Sequence, residues 1–199
     1  MNEITNILGQ NNNITAHDFD GCNIEKHDFS RIEFENITFR RCHFVSCIFD
    51  YCYFINCKFI NCDVSNCNFV ATFFKACAFH DSKGIGADFF ESIIKSTTID
   101  NSSFKYANFT SSKWNTVMIR DSDFSDALMT STTFIKVTLE NINLASVDLF
   151  KSNIKNTDLS SCVLDGIILS ENLEELKSNK ISALQASKLV TLLGIKIID

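Results

Sequence analysis

Nine cysteines are the residues of this chain whose type and spacing first suggest chemistry. Between residues 42 and 67 a cysteine occupies every fifth position, and two positions after each stands a phenylalanine or, once, a valine. Thiols in such numbers suit zinc ligands, disulfide partners or small buried side chains. Any of the three roles has to explain the even five-residue interval.

Zinc sites favour paired ligands two to four residues apart, which this interval does not supply. Disulfides need a specific side-chain geometry, whereas thiols twenty apart, such as Cys42 and Cys62, are expected to stack and point the same way. Free cysteine behaves as a small, readily buried hydrophobe, so we interpret the series as core filler. His17 and His27, which flank Cys22 in the same positional class, are the best alternative as metal ligands. We expect neither metal nor cofactor.

The elements that must position these thiols follow from a repeat of five residues. From Ile14 to Leu169 there are 32 positions whose residue number ends in 4 or 9. Of these, 31 hold Ile, Phe, Val, Trp, Met or Leu, and Gly84 is the exception. Every cysteine lies two positions before one of them. A period of five fits neither a helix nor a plain strand, but residues two apart in an extended chain share a face. Each unit is therefore predicted to be three extended residues with both ends inward, followed by a two-residue corner.

When units of this kind repeat with the same handedness, the chain winds into a solenoid. Its coils bury their large residues by stacking on neighbouring coils. The sequence "GIG" around Gly84 is interpreted as a bulge or kink where backbone replaces a large side chain. The residues predicted to stack in the core are Phe44, Phe49, Phe54, Phe59, Phe69, Cys42, Cys47, Cys52, Cys57, Cys62 and Cys67.

The units "ADFFE" (87–91), "SDFSD" (122–126), "VDLFK" (147–151) and "TDLSS" (157–161) resemble the pentapeptide-repeat family. The resemblance implies an all-β solenoid, a right-handed quadrilateral β-helix with four units per coil. The chain would then form about eight coils, roughly 38 Å long at about 4.8 Å per coil. We expect an N-terminal lead-in over 1–11, the β-helix over 12–171 and a C-terminal helical cap and dimerisation segment over 172–199.

Composition narrows the function classes. The net charge of −6 and the pI near 5.2 argue against direct nucleic-acid binding, which usually needs a basic surface. No run of about 18 apolar residues predicts a membrane span, and the opening "MNEITNILGQNNN" lacks the features of a signal peptide. We therefore expect a cytoplasmic protein, and in that reducing compartment the nine cysteines should be thiols. No catalytic constellation is visible, and we expect no enzyme.

Two surface features are candidate partner-binding sites. Tyr53 and Phe73 are expected to stack on one outer face with Ile93, and an exposed apolar patch can mark a partner site. The alternative is that such pairs only stabilise the strand ladder. The second feature is a set of acidic residues, and the alternative interpretation is that they form an ordinary solvated surface. Its members are Asp121, Asp123, Asp126, Asp148 and Asp158.

After Leu169 the periodicity changes. Ser182 and Gln185 form a potential capping box, and Gly194 suits a helix C-terminus. A solenoid needs capped ends, because open strands pair with other molecules. The alternatives are a helix that only caps and one that also dimerises, and we favour dimerisation. The apolar stripe expected to form the dimer is Ala186, Leu189, Val190 and Leu193.

The tail from Gln185 to Ile195 resembles the C-terminal segment of the quinolone-resistance pentapeptide proteins and of the microcin-resistance branch. That resemblance implies a tail-to-tail homodimer that binds DNA gyrase or topoisomerase IV and relieves poisons such as fluoroquinolones, by steric or allosteric protection and partial DNA mimicry. The unbroken register from 14 to 169 leaves no room for the projecting loops of Gram-negative members. The alternative function is a non-enzymatic interaction rod or effector with another protein partner.

Overall fold

The computed structural model describes residues 13–196 and residue 198, and the chain forms a parallel β-solenoid followed by one short α-helix. Residues twenty apart lie side by side on neighbouring coils, as Ile14 pairs with Phe34 and Phe34 with Phe54. Four units of five residues therefore make one coil, as the resemblance to the pentapeptide-repeat family implies. The predicted lead-in over 1–11 lies outside the described residues.

Faces 1 and 2 of the rod are regular parallel sheets of seven three-residue strands each. In every strand the central residue points inward and is buried. The strands of face 1 are Asn13–Thr15, Glu33–Glu35, Tyr53–Ile55, Phe73–Lys75, Ile93–Lys95, Lys113–Asn115 and Thr133–Ile135. The strands of face 2 are Asp18–Asp20, Thr38–Arg40, Lys58–Ile60, Ala78–His80, Thr98–Asp100, Met118–Arg120 and Thr138–Glu140.

Faces 3 and 4 are held mainly by single parallel bridges rather than by strands. Face 3 begins with the paired strands Asn23–Glu25 and His43–Val45, and continues by bridges from His43 to Asp63 and onward to Val163. Face 4 consists of bridges alone, from Asp28 to Ile168. The register stays at twenty residues along all four faces up to Ile168, so these coils keep one cross-section, whereas the bridge from Asp158 to Lys180 in the cap departs from it.

Seven stacked strands on faces 1 and 2 span about six turns, slightly fewer than the eight coils predicted. At the C-terminal end the regular strand pairing gives way to single bridges, such as Thr133 to Asn153 on face 1. Residue spacing alone does not distinguish a three-residue strand from a single bridge, because both place the same side chain inward.

The corners are made by left-handed residues that are seldom glycine. From Ala16 to Asn156, nearly every fifth residue has φ between 46° and 65°, which costs a non-glycine residue about 1–2 kcal/mol. Most corner N–H groups donate across the coils, as Ala16 does to the Glu35 carbonyl and Asn56 to the Lys75 carbonyl, at 2.9 and 2.8 Å. Corner strain is thus balanced by the same ladder that stacks the coils.

The core consists of four columns of inward side chains. One column stacks Phe29, Phe49, Phe69, Phe89 and Phe109 with ring centroids 4.8 to 5.0 Å apart. Flat rings fit here because their stacking distance equals the spacing of neighbouring coils, about 4.8 Å. All eleven phenylalanines and cysteines predicted to stack in the core are buried.

The bulge or kink expected at Gly84 does not form. The bridges from Asp63 to Lys83 and from Lys83 to Ser103 run through this stretch, and the Gly84 N–H donates to the Ser103 carbonyl at 2.8 Å. The space of the missing side chain is filled by the Phe104 ring, whose Cε1 would lie 2.5 Å from a Cβ at position 84. The core is therefore repaired by a neighbouring side chain and not by the backbone.

The C-terminal segment closes the rod. It contains a 3₁₀ turn at Glu174–Leu176, helix α1 at Ala183–Leu189 and a second 3₁₀ turn at Val190–Leu193. The predicted capping box is present, since Ser182 and Gln185 each accept a backbone hydrogen bond from the other. Gly194 ends the segment with φ of 75°, a left-handed conformation that favours glycine.

Candidate functional site

The thiols act as hydrogen-bond donors as well as core filler. Each Sγ from Cys42 to Cys67 lies 3.0–3.5 Å from the carbonyl oxygen of the residue 23 positions earlier, as Cys52 does from Phe29 and Cys67 from Phe44. Thr72 and Ser82 donate from the same inward position to Phe49 and Phe59. Sequence reasoning missed this role, although the alternation of Cys, Ser and Thr at one position signals a shared donor.

A hydrogen bond from a neighbouring thiol lowers the pKa of Cys47, Cys57 and Cys62, but the burial of these side chains limits their access to reagents. All nine thiols lie in the described residues, none forms a disulfide, and eight are buried. Burial raises the pKa of Cys52 to about 12 and that of Cys162 to about 11, so both stay protonated at neutral pH. Within residues 13–196 and 198, no three His, Cys, Asp or Glu side chains lie together in a way that could hold a metal ion.

The five predicted acidic residues do not form one site. Asp121 and Asp123 line a common groove, Asp126 turns the corner between faces 3 and 4, Asp148 lies on face 4 and Asp158 on face 2. Three of them also have a local task. Asp123, Asp148 and Asp158 each accept a hydrogen bond from the backbone N–H two residues later, which stabilises the corner.

The groove runs along the corner between faces 2 and 3, with a volume of about 580 Å³. One rim of the groove is a column in which carboxylates and amides alternate. Asn101 donates to Asp81, and Asn141 donates to Asp121 at 3.0 Å. Asp81, Asp121 and Asp123 give the groove a negative character that Lys83 reduces. Sequence reasoning missed Asp81, although its distance of 40 residues from Asp121 places both in one column.

The aromatic candidates lie where the repeat predicts. Tyr53 pairs with Phe73, and Phe73 with Ile93, in register on face 1. The Tyr53 and Phe73 ring centroids are 6.0 Å apart, and Tyr53 is 53% exposed. Since faces 1 and 3 are opposite sides of the rod, the aromatic candidates and the acidic groove are separate surfaces.

The tail satisfies the open end of the solenoid through two buried polar side chains. The Gln185 amide donates to the carbonyls of Leu159 and Cys162, at 2.8 and 2.6 Å. The Glu175 carboxylate accepts from the backbone N–H of Lys151 and from the N–H and hydroxyl of Ser170. These contacts replace the hydrogen bonds that another coil would make.

The residues of the predicted dimer stripe do not share one face, because some pack toward the rod and others are exposed. Leu189 is buried against the rod and Ala186 and Val190 are half-buried, while Leu193 is 50% exposed. The assignment of Leu189 to a dimer contact is therefore corrected to the cap, because Gln185 one turn earlier anchors this side of α1 to the last coil. Leu184, Leu192 and Ile195 are further exposed apolar residues of the tail.

Among the described residues no helix is long and apolar enough to cross a membrane.

Comparison with known protein families matches the coils in two blocks. Residues 32–109 match the pentapeptide repeat region family, and residues 127–166 match pentapeptide repeats (8 copies). The chain belongs to the pentapeptide-repeat proteins. No curated protein sequence matches it.

Several solved pentapeptide-repeat structures are similar to this one at low identity. One is trypsin-treated QnrB1, described as a plasmid-mediated fluoroquinolone resistance protein, with 19% identity, a TM-score of 0.48 and coverage of 94% of this chain and 99% of that one. Another comes from the thylakoid lumen of Arabidopsis thaliana, with 19% identity, a TM-score of 0.43 and coverage of 46% and 64%. HetL from a Nostoc cyanobacterium has 9% identity, a TM-score of 0.31 and coverage of 89% and 92%.

Proposed function

We propose that this protein binds a type II topoisomerase, DNA gyrase or topoisomerase IV, and protects it from poisons such as fluoroquinolones without catalysing a reaction. The supporting observation is the acidic groove, which offers carboxylates to a protein surface that normally holds DNA. Asp81 and Asp121 lie two coils apart, about 10 Å along the axis. The similarity of the tail to the quinolone-resistance proteins supports the same function, whereas the likeness to QnrB1 concerns only the fold.

The DNA mimicry in this proposal is partial. A duplex presents phosphates continuously on both strands, whereas the groove carries Asp81, Asp121 and Asp123 together with Lys83. The remaining acidic candidates point elsewhere. Binding therefore combines local charge complementarity with the shape of a rod that has no projecting loop between 13 and 169.

The proposed assembly is a homodimer through the C-terminal end. Leu184, Leu192, Leu193 and Ile195 are each at least half exposed on the cap, and a second copy is the occupant that would cover them. The variant pair Leu184→Asp and Leu193→Asp should halve the mass measured by light scattering if the tail dimerises. An unchanged mass would refute this assembly. Leu189→Asp is unsuitable, because Leu189 belongs to the cap.

The decisive experiment is a gyrase supercoiling assay with and without a fluoroquinolone, to which the purified protein is added. We expect inhibition of supercoiling in the absence of drug or its recovery in the presence of drug. Asp121→Asn combined with Asp123→Asn should weaken either effect about tenfold, because two rim carboxylates are neutralised while their hydrogen-bonding shape is kept. Glu33→Gln with Glu35→Gln, on the opposite face, is the matched control. A protein that neither inhibits nor rescues would refute the function.

The second candidate is an interaction rod whose partner is a different protein. The aromatic residues on face 1 favour it, because the exposed Tyr53 and the half-buried Phe73 lie on a surface that the groove does not include. The supercoiling assay separates the two candidates, since only the first involves a topoisomerase.

A further inference from the structure

Face 1 carries a strip in which exposed and half-buried apolar side chains adjoin lysines. Along one outer column Tyr53, Phe73 and Ile93 follow one another and lead to Lys113. Along the neighbouring column Ile55 leads to Lys75, which is followed by Lys95. We name this surface the aromatic–lysine strip and define it as Tyr53, Ile55, Phe73, Ile93, Lys75, Lys95 and Lys113.

The lysines of the strip are arranged unfavourably for the isolated protein. Lys75 and Lys95 stand directly opposite each other on adjacent parallel strands. Like charges in that position destabilise a sheet. None of the three lysines forms an ion pair with any side chain in the described part of the chain, and all three are exposed. Their positive charge is therefore available to a ligand.

The apolar part of the strip is also available. Tyr53 and Ile93 are 53% and 43% exposed, and the Phe73 ring between them is half-buried. Three successive coils thus present a continuous apolar column, and the lysines begin beside its second coil. Such a patch favours a partner that supplies apolar contacts and negative charge together.

We propose that the aromatic–lysine strip binds an acidic segment of another protein. The apolar side chains of that segment pack on Tyr53, Phe73 and Ile93, and its carboxylates pair with Lys75, Lys95 and Lys113. From the coil of Tyr53 to the coil of Lys113 the strip is about 14 Å long, which matches roughly four extended residues.

The ends of the strip fix the orientation of this segment. Glu33 pairs in register with Tyr53, and Glu35 with Ile55, so the coil before the apolar column is acidic. Carboxylates of the partner are repelled there and attracted at the opposite end. The segment therefore lies with its acidic part toward Lys113. The same two glutamates and the net charge of −6 disfavour nucleic acid, whose charge is uniform along its length. This inference concerns face 1 and does not depend on topoisomerase binding.

A peptide selection tests this binding directly, with a random library as the probe. The phage-displayed library is selected on the full-length protein and counter-selected on the Lys75→Glu, Lys95→Glu double variant. We expect recovered peptides to combine Asp or Glu with Phe, Leu or Ile. Fluorescence anisotropy of a recovered peptide should show a Kd that rises at least about tenfold in the double variant and in Tyr53→Ser combined with Phe73→Ser.

The matched control is Lys58→Glu combined with Lys83→Glu, which changes the net charge equally but lies on faces 2 and 3, and its Kd should equal that of the wild type. Binding should also weaken with salt, because the lysines are exposed. Peptides without an acidic bias, equal binding to the strip variants, or tighter binding of an oligothymidylate probe that the strip variants abolish would each overturn the proposal.

Discussion

The two halves of the core fill the same tube with different side chains. The N-terminal core, residues 19–109, contains stacked columns of phenylalanine and most of the thiols, whereas the C-terminal core, residues 114–169, is mainly Leu and Ile. In the C-terminal core the inward residues leave a void of about 10 Å³, lined by Trp114, Ile119 and nine others. That volume is at the lower limit for one water molecule.

The difference shows which features determine the fold and which determine packing quality. The hydrogen-bond register of twenty residues is identical in both halves. Planar rings stack at the coil spacing, whereas branched aliphatic side chains cannot stack in this way. The ladder thus defines the solenoid, and the shape of the inward side chains determines how closely they pack.

The strongest test of this comparison uses two residues of one core column. Phe54 stacks between Phe34 and Phe74 at 4.7 and 5.1 Å, and Ile154 lies five coils further along the same column. Phe54→Ala should lower the free energy of unfolding by about 3–5 kcal/mol, and Ile154→Ala by about 2–4 kcal/mol. Urea denaturation followed by circular dichroism measures both values. An equal or larger loss for Ile154→Ala would contradict the comparison.

The repeat makes the fold predictable because one register without insertions determines which residues face inward. The core residues and the capping box follow from local spacing. The number of regular strands does not, because a strand and a bridge bury the same residue. The filling of the Gly84 gap depends on the orientation of the Phe104 ring in the next coil, and spacing does not determine how a ring is oriented.

The candidate sites are less predictable than the core. The acidic candidates are close in sequence, which suggests one site, but Asp148 and Asp158 lie on other faces of the rod than the groove. Counting in steps of twenty shows this difference, and it also places Asp81 in the groove beside Asp121. The orientation of Leu189 depends on the Gln185 contacts with Leu159 and Cys162, which no helical pattern shows.

A smaller effect is expected where a glycine interrupts the ring-filled half. Gly84→Ala places a Cβ against the Phe104 ring and should cost about 1–3 kcal/mol. Phe104→Leu removes that ring, so the double variant should cost less than the sum of the two single variants. A double-mutant cycle by urea denaturation measures the coupling. Strict additivity would show that Phe104 does not occupy the space left by Gly84.

A pH-dependent effect distinguishes the thiol-rich core from the cap. Burial raises the pKa of Cys52 from the ordinary value of 9.0 to about 12. A neutral thiol is thus favoured in the folded state, so its contribution to stability is complete below pH 9 and is lost as pH rises toward about 12. Between pH 9 and 11 the loss is about 1.4 kcal/mol per pH unit for one such thiol. Cys52→Ser should remove this contribution while keeping a donor to the Phe29 carbonyl.

The contribution of Glu175 in the cap to stability changes with pH in the opposite direction. Burial alone would raise its pKa, but the hydrogen bonds from Ser170 and the Lys151 N–H outweigh burial and hold it below its ordinary value of 4.5. Its contribution is present above that value and is lost as pH falls through the folded pKa. Urea midpoints from acid to alkaline pH should therefore show Cys52→Ser differing from wild type in slope only above pH 9, and Glu175→Gln only at acid pH. If either variant changed the urea midpoint at both acid and alkaline pH, the thiol core and the cap would not be stabilised independently. The two regions would then differ in packing alone.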